Sequence, residues 1–179
     1  MPHRFPRSAS LKNLPATTAF LILDVAGVPC ALARAAVSEV LPLPDLHSPP
    51  MAGGPLAGFL DLGGAPVAVI DLARLLGLPM RDGAQADDPY RHLVLAAGEA
   101  IAFLVDRVDD LVVVADAEIR PVAEARTLNG CVTAEIGLRD RMVHLLDPAR
   151  LLAAEERQRL DDLTRAAAER LAAFEAPPA

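Results

Sequence analysis

The strongest constraint on this chain is that much of it is written twice. VIDLARLLGL, starting at Val69, returns 76 residues later as LLDPARLLAA, starting at Leu145, and each copy places Asp-x-Ala-Arg-Leu-Leu straight after an aliphatic run. The likeness extends upstream. With Gly27 set on Gly98, Ile22 aligns with Leu93, Leu23 with Val94, Ala31 with Ala102, Leu32 with Phe103 and Val37 with Val108 at a constant offset of 71. At the offset of 76, Leu62 meets Leu138, Val67 meets Val143, Ile70 meets Leu146 and Asp71 meets Asp147, so a five-residue loop insertion separates the two registers. Self-similarity at fixed offsets predicts a pseudo-duplicated fold.

The repeating unit is made of short strands. Residues 20–25 and 28–33 read as a hairpin about Gly27, because glycine tolerates the positive φ that tight turns demand. Residues 37–43 form a further apolar segment, and a loop rich in proline and glycine follows it (Pro42, Pro44, Pro49, Pro50, Pro55, Gly53, Gly54, Gly58). A second hairpin, 59–62 and 66–70, turns at Gly63-Gly64, and Asp71 then caps a short helix over 72–76 that Gly77 and Pro79 terminate. Past a polar connector, 81–89, the order restarts with strands at 92–97, 101–105 and 108–114. The expectation is an all-β dominated fold with halves at about 17–80 and 90–147, each of about five strands and each closing on a capped helix.

The second copy differs in its ending. Pro148 suits the first helical position after the Asp147 cap, and no glycine or proline recurs before Pro177, which predicts one helix over 148–176. Some 27 residues would span about 40 Å. Leu160, Leu163, Ala167, Leu171 and Phe174 share one face of it, and the pairs Glu155–Arg159 and Asp161–Arg165 support it at i, i+4. That stripe packs either on the protein's own strands or on a partner, a second copy included.

Several function classes are poorly served. A net charge of −7 repels nucleic acid, and the basic residues Arg4, Arg7 and Lys12 sit in a proline-containing segment, 1–16, that reads as a disordered leader. No apolar run reaches the length of a membrane span, and the run at 19–23 is too short for a signal peptide, so the expected location is cytoplasmic without membrane insertion. Cys30 and Cys131 lack zinc-site spacing and read as buried free thiols. His3, His47, His92 and His144 are scattered and form no helical metal pair. Asp106, Asp109 and Asp110 read as a turn and a solvated face, with Asp106 and Asp110 on one side of a strand and Asp109 on the other. Gly63-Gly64 lacks a phosphate-loop lysine, and Asp87 and Asp88 lie in the connector. No catalytic constellation, cofactor site or metal site emerges, and binding through surfaces and strand edges is what remains.

In order and spacing, residues 18–152 resemble the CheW-like coupling proteins of bacterial chemosensory arrays. The likeness is carried by FLILDVAGVPCAL, VSEVLPLP, GFLDLGGAPVAVIDLARLLGLP, IAFLVDRVDDLVVV and MVHLLDPARLL. The resemblance implies two packed five-stranded SH3-like β-barrel subdomains. It also implies a non-enzymatic adaptor, without cofactor, joining the cytoplasmic tip of a methyl-accepting chemoreceptor to a CheA-type histidine kinase in a two-component pathway. Its partner contacts map here onto the strand Val37 to Val40, with Val37, Glu39 and Val40, onto Asp61, Gly63 and Gly64 at the turn after Leu62, and onto the segment Val105 to Leu111, with Asp106 and Val108. Leu160, Leu163 and Leu171 would serve a partner or self-association through the C-terminal helix. The family's usual Asn-Leu-Arg-Gly stands here as Asp61-Leu62-Gly63-Gly64, and its usual proline as Ala68. The lost arginine removes a charge-assisted contact of about 1–3 kcal/mol.

Overall fold

The computed structural model describes residues 16–47, 54–79, 90–123 and 130–175, with residues 174 and 175 by backbone only. The leader before Ala16, most of the proline-rich loop, the acidic connector and the Phe174 side chain lie outside the described residues. Eleven strands are found among them: β1 (Thr17–Val25), β2 (Val28–Ala33), β3 (Val37–Pro42), β4 (Leu56–Leu62), β5 (Ala65–Asp71), β6 (His92–Ala96), β7 (Ile101–Val105), β8 (Arg107–Ala115), β9 (Arg120–Pro121), β10 (Val132–Leu138) and β11 (Arg141–Leu146). The helices are α1 (Leu72–Leu75), α2 (Pro148–Leu151) and α3 (Ala154–Glu175).

The strands form two sheets, ordered β8-β1-β2-β11-β10-β9 and β3-β6-β7-β5-β4. Neither closes into a barrel in hydrogen-bonding order, although they pack as two subdomains. Sheet membership also cuts across the sequence repeat. Each sheet takes the opening hairpin of one half and the later strands of the other half, β1-β2 with β8 to β11 and β6-β7 with β3 to β5. The connections explain the exchange. Only the three residues Arg34–Ala36 separate β2 from β3, and only Asp106 separates β7 from β8. Links this short carry the chain into the neighbouring sheet without folding it back on its own. The parallel pairings β2 with β11 and β5 with β7 then join the halves, with Leu32 beside Leu146 and Ile70 beside Phe103.

Side-chain alternation distributes the core into three layers. Leu21, Leu23, Val25, Ala68, Ile70, Val94, Phe103 and Leu146 fill the central cluster, to which both sheets contribute. Phe20, Ile22, Ile136, Val143 and Leu145 line the other face of the first sheet, and Val67, Val69, Leu93, Leu95 and Leu104 that of the second. Burial on both faces is why β1, β5, β6 and β7 read as near-continuous apolar runs.

Both aspartates of the repeat cap helices. Asp71 Oδ1 accepts the Arg74 N–H at 3.1 Å, and Asp147 Oδ1 accepts the Ala149 N–H at 3.0 Å. The single C-terminal helix expected over 148–176 is instead two. Leu152 is extended (φ −114°, ψ 133°), and α3 starts afresh two residues later. Across the break the adjacent Leu151 and Leu152 both enter the core. Glu156 then accepts the Ala153 N–H at 2.8 Å, one half of a capping box. The 22-residue α3 spans about 33 Å and packs against β5 through Leu160, with Leu163 and Ala167 partly buried. Arg165 pairs with Asp162, one position from the Asp161 that the spacing offers.

Candidate partner-binding surface

Two open sheets leave four edge strands, β8 and β9, and β3 and β4. An edge strand offers unpaired N–H and C=O groups to another chain unless something blunts it. Three are blunted. β9 is two residues long and ends in Pro121, β4 exchanges two backbone hydrogen bonds between Phe59 and His47, and β3 carries a bulge between Val37 and Glu39 and stops at Pro42. β8 is bulged too, at Asp109, but past the bulge it runs on from Asp110 to Ala115 without proline and carries Leu111 and Val113 at 53% and 67% exposure. In the repeat β8 corresponds to β3, so the two occupy equivalent edges of the two sheets.

The residues singled out from sequence divide in two. Val37 and Leu160 are buried in the central cluster, and Val40, Val108 and Leu163 pack against it. Glu39, Asp61, Gly63 and Gly64 are exposed, and Leu171 is half-buried on α3. Gly63 and Gly64, at φ +64° and +87°, form the two-residue β4–β5 turn, and Asp61 Oδ1 accepts the Gly64 N–H at 2.7 Å. The equivalent turn between β10 and β11 is Arg139-Asp140, also at positive φ, and Arg139 reaches Asp110 at 3.2 Å. A cation is therefore present in the second copy of the turn that lacks one in the first. Asp110 and Asp109 do not alternate as expected, because the register between β1 and β8 shifts at Ile22/Leu23 and leaves Asp109 as the extra residue. Both are exposed.

Asp106 is committed inside the molecule. Its Oδ2 accepts the Ala26 N–H at 2.8 Å, and its Oδ1 lies 3.5 Å from Arg91 Nε, an ion pair without hydrogen-bond geometry. Arg91, buried like Asp71, donates from Nη2 to Asp71 Oδ2 at 3.2 Å. Sequence reading missed Arg91. The usable signal was a lone arginine directly ahead of a wholly apolar strand, where a charge must find a buried partner. It also missed Val113 as a surface group and reached Leu111 only as the end of the Val105 to Leu111 segment, since an apolar strand on an edge reads like one in a core.

The thiols are placed for packing. Cys30 and Cys131 line a cavity of about 480 Å³ with Leu78, Pro121, His144 and Leu146, and His144 Nδ1 lies 3.2 Å from Glu135 Oε1. Burial, helped by Cys131 and Asp24, pushes the Cys30 thiol up to about 12, and burial also raises Cys131. Neither is a thiolate nucleophile at neutral pH. Among the described residues no group of three or more His, Cys, Asp or Glu side chains could hold a metal ion, and no helix is long and apolar enough to cross a membrane.

The arrangement thus offers strand edges and turns. A model of the CheW-like domain matches residues 19–156. The chain belongs to the CheW-like domain family. That family is one of non-catalytic scaffolds and adaptors, and the chain is read as one in chemotaxis signalling. Among solved structures, the scaffolding protein TtCheW from Thermoanaerobacter tengcongensis superposes with a TM-score of 0.69 at 18% identity, over 83% of this chain and 96% of that one. At that identity the likeness is one of fold. No curated protein matches the chain. The CheW-like match ends in the first turn of α3, so most of that helix lies beyond it.

Proposed function

We propose that this protein is a cytoplasmic adaptor that links a methyl-accepting chemoreceptor tip to a CheA-type histidine kinase. The observation that carries the reading is the β8 edge past its Asp109 bulge, with Leu111 and Val113 exposed, on a chain of the CheW-like family. The equivalent edge β3, with Glu39 exposed, and the Asp61–Gly64 turn give a second contact region on the other sheet. The scaffolding role named for TtCheW supports the same reading.

Two contact regions on two sheets suit a protein that holds two partners at once. A scaffold alters kinase activity only by binding the kinase's states unequally, so coupling is a difference in affinity between those states. The test is Leu111→Lys/Val113→Lys, which places charge on the exposed edge without touching the core. Affinity for the kinase regulatory domain or for the receptor tip falls at least tenfold, about 1.4 kcal/mol, with the melting temperature unchanged. Unaltered binding to both would remove β8 from the interface.

A further inference from the structure

Arg91 contacts the residues that flank both candidate contact strands, Leu43 just past β3 and Asp106 just before β8. Its carbonyl accepts the Leu43 N–H at 2.9 Å, continuing the β3–β6 pairing past Pro42 and His92. Its guanidinium lies between Asp71, the last residue of β5, and Asp106, the single residue that carries the chain from β7 into β8. Asp106 is held from the first sheet as well. Its N–H donates to the Asp24 carbonyl at 3.0 Å, and its Oδ2 takes the Ala26 N–H from the β1–β2 turn.

The Arg91 and Asp71 side chains are only 7% and 5% exposed, so solvent screens their attraction little. The planar guanidinium donates in a fixed direction to Asp71 and stands beside Asp106 through charge, so one delocalised cation holds the two carboxylates on either side of it, which a compact ammonium would do less well. We infer that Arg91 is the positioning residue that fixes the start of the β8 edge relative to the β3 edge. In doing so it sets the geometry in which the adaptor offers its two contact regions. The link to partner binding rests on the proposed function; the mechanical link does not.

Hydrogen exchange on the full chain tests the mechanical link without any partner. Arg91→Lys and Asp106→Ala each speed exchange of the amides of residues 26 and 106 about tenfold, while Val69 and Val94 in the core stay within about twofold. The double variant adds nothing beyond the Asp106→Ala effect, since Arg91 reaches these amides only through Asp106. Additive effects, or acceleration spread evenly into Val69 and Val94, would overturn the inference. In a second arm, Arg91→Lys weakens capture of both the kinase regulatory domain and the receptor tip about tenfold. Undiminished capture with the local acceleration present would limit Arg91 to holding the fold. If the unsubstituted protein captures neither partner, the functional reading fails while the exchange result stands.

Discussion

Ala26 holds φ at +51°, a conformation that costs a side chain roughly 1–2 kcal/mol, and the Asp106 carboxylate holds its N–H there. Ala26→Gly relieves the strain and raises unfolding free energy by about 1 kcal/mol in urea titration; a loss of stability would show that the turn is not strained. The sequence showed that a turn stood here, through Gly27, but not that Ala26 shared the left-handed region, because the group that enforces it lies 80 residues away. Cys30 makes a pH-dependent claim. Its thiol keeps its proton in the folded state up to about pH 12, whereas the unfolded thiol loses it near 9. The folded state therefore binds the extra proton between those values, and stability from this group is present below pH 9 and lost as pH rises. Urea unfolding between about pH 9.5 and 10.5 should lose up to ~1.4 kcal/mol more in the unsubstituted protein than in Cys30→Ala. Equal slopes would contradict the assignment.

Elements show where local signals compete with tertiary ones. Asp71 and Asp147 are legible as caps because the chemistry is local, a carboxylate meeting the first unpaired amides. The break at Leu152 was not legible from the absence of glycine and proline. It coincides with two adjacent leucines that both enter the core, and Glu156 caps the helix that restarts after it. α3 is then anchored unevenly. Leu160 is buried, and Arg157 bonds Glu99 in the β6–β7 turn and the Pro148 carbonyl, whereas Leu171 is only half-buried. Leu160→Ala lowers stability by about 2–3 kcal/mol and Leu171→Ala by less than ~0.5, as read from denaturation midpoints. Equal effects would mean that the helix docks along its whole length.

For the whole molecule, the duplication was readable because repeats leave constant offsets, and so were most strands, because burial on both faces leaves apolar runs. The exchange of hairpins between the sheets was not, since it depends on how a three-residue and a one-residue link redirect the chain. The contact surface was half readable. Family likeness pointed to the β3 strand, the Gly63-Gly64 turn and the β8 region as far as Leu111, but it could not separate buried Val37 from exposed Glu39, or add Val113. The exchange matters for function, because it places equivalent edges, β3 and β8, on different sheets of one rigid-cored protein. Such a molecule can hold two partners at a defined separation, and the most direct measurement is ternary assembly. The full chain is mixed with a CheA-type kinase regulatory domain and a methyl-accepting receptor tip from the same genome and followed by size-exclusion chromatography with light scattering. The account predicts a complex containing all three, weakened by Leu111→Lys/Val113→Lys. A stable dimer joined through α3 that ignores both partners would contradict it.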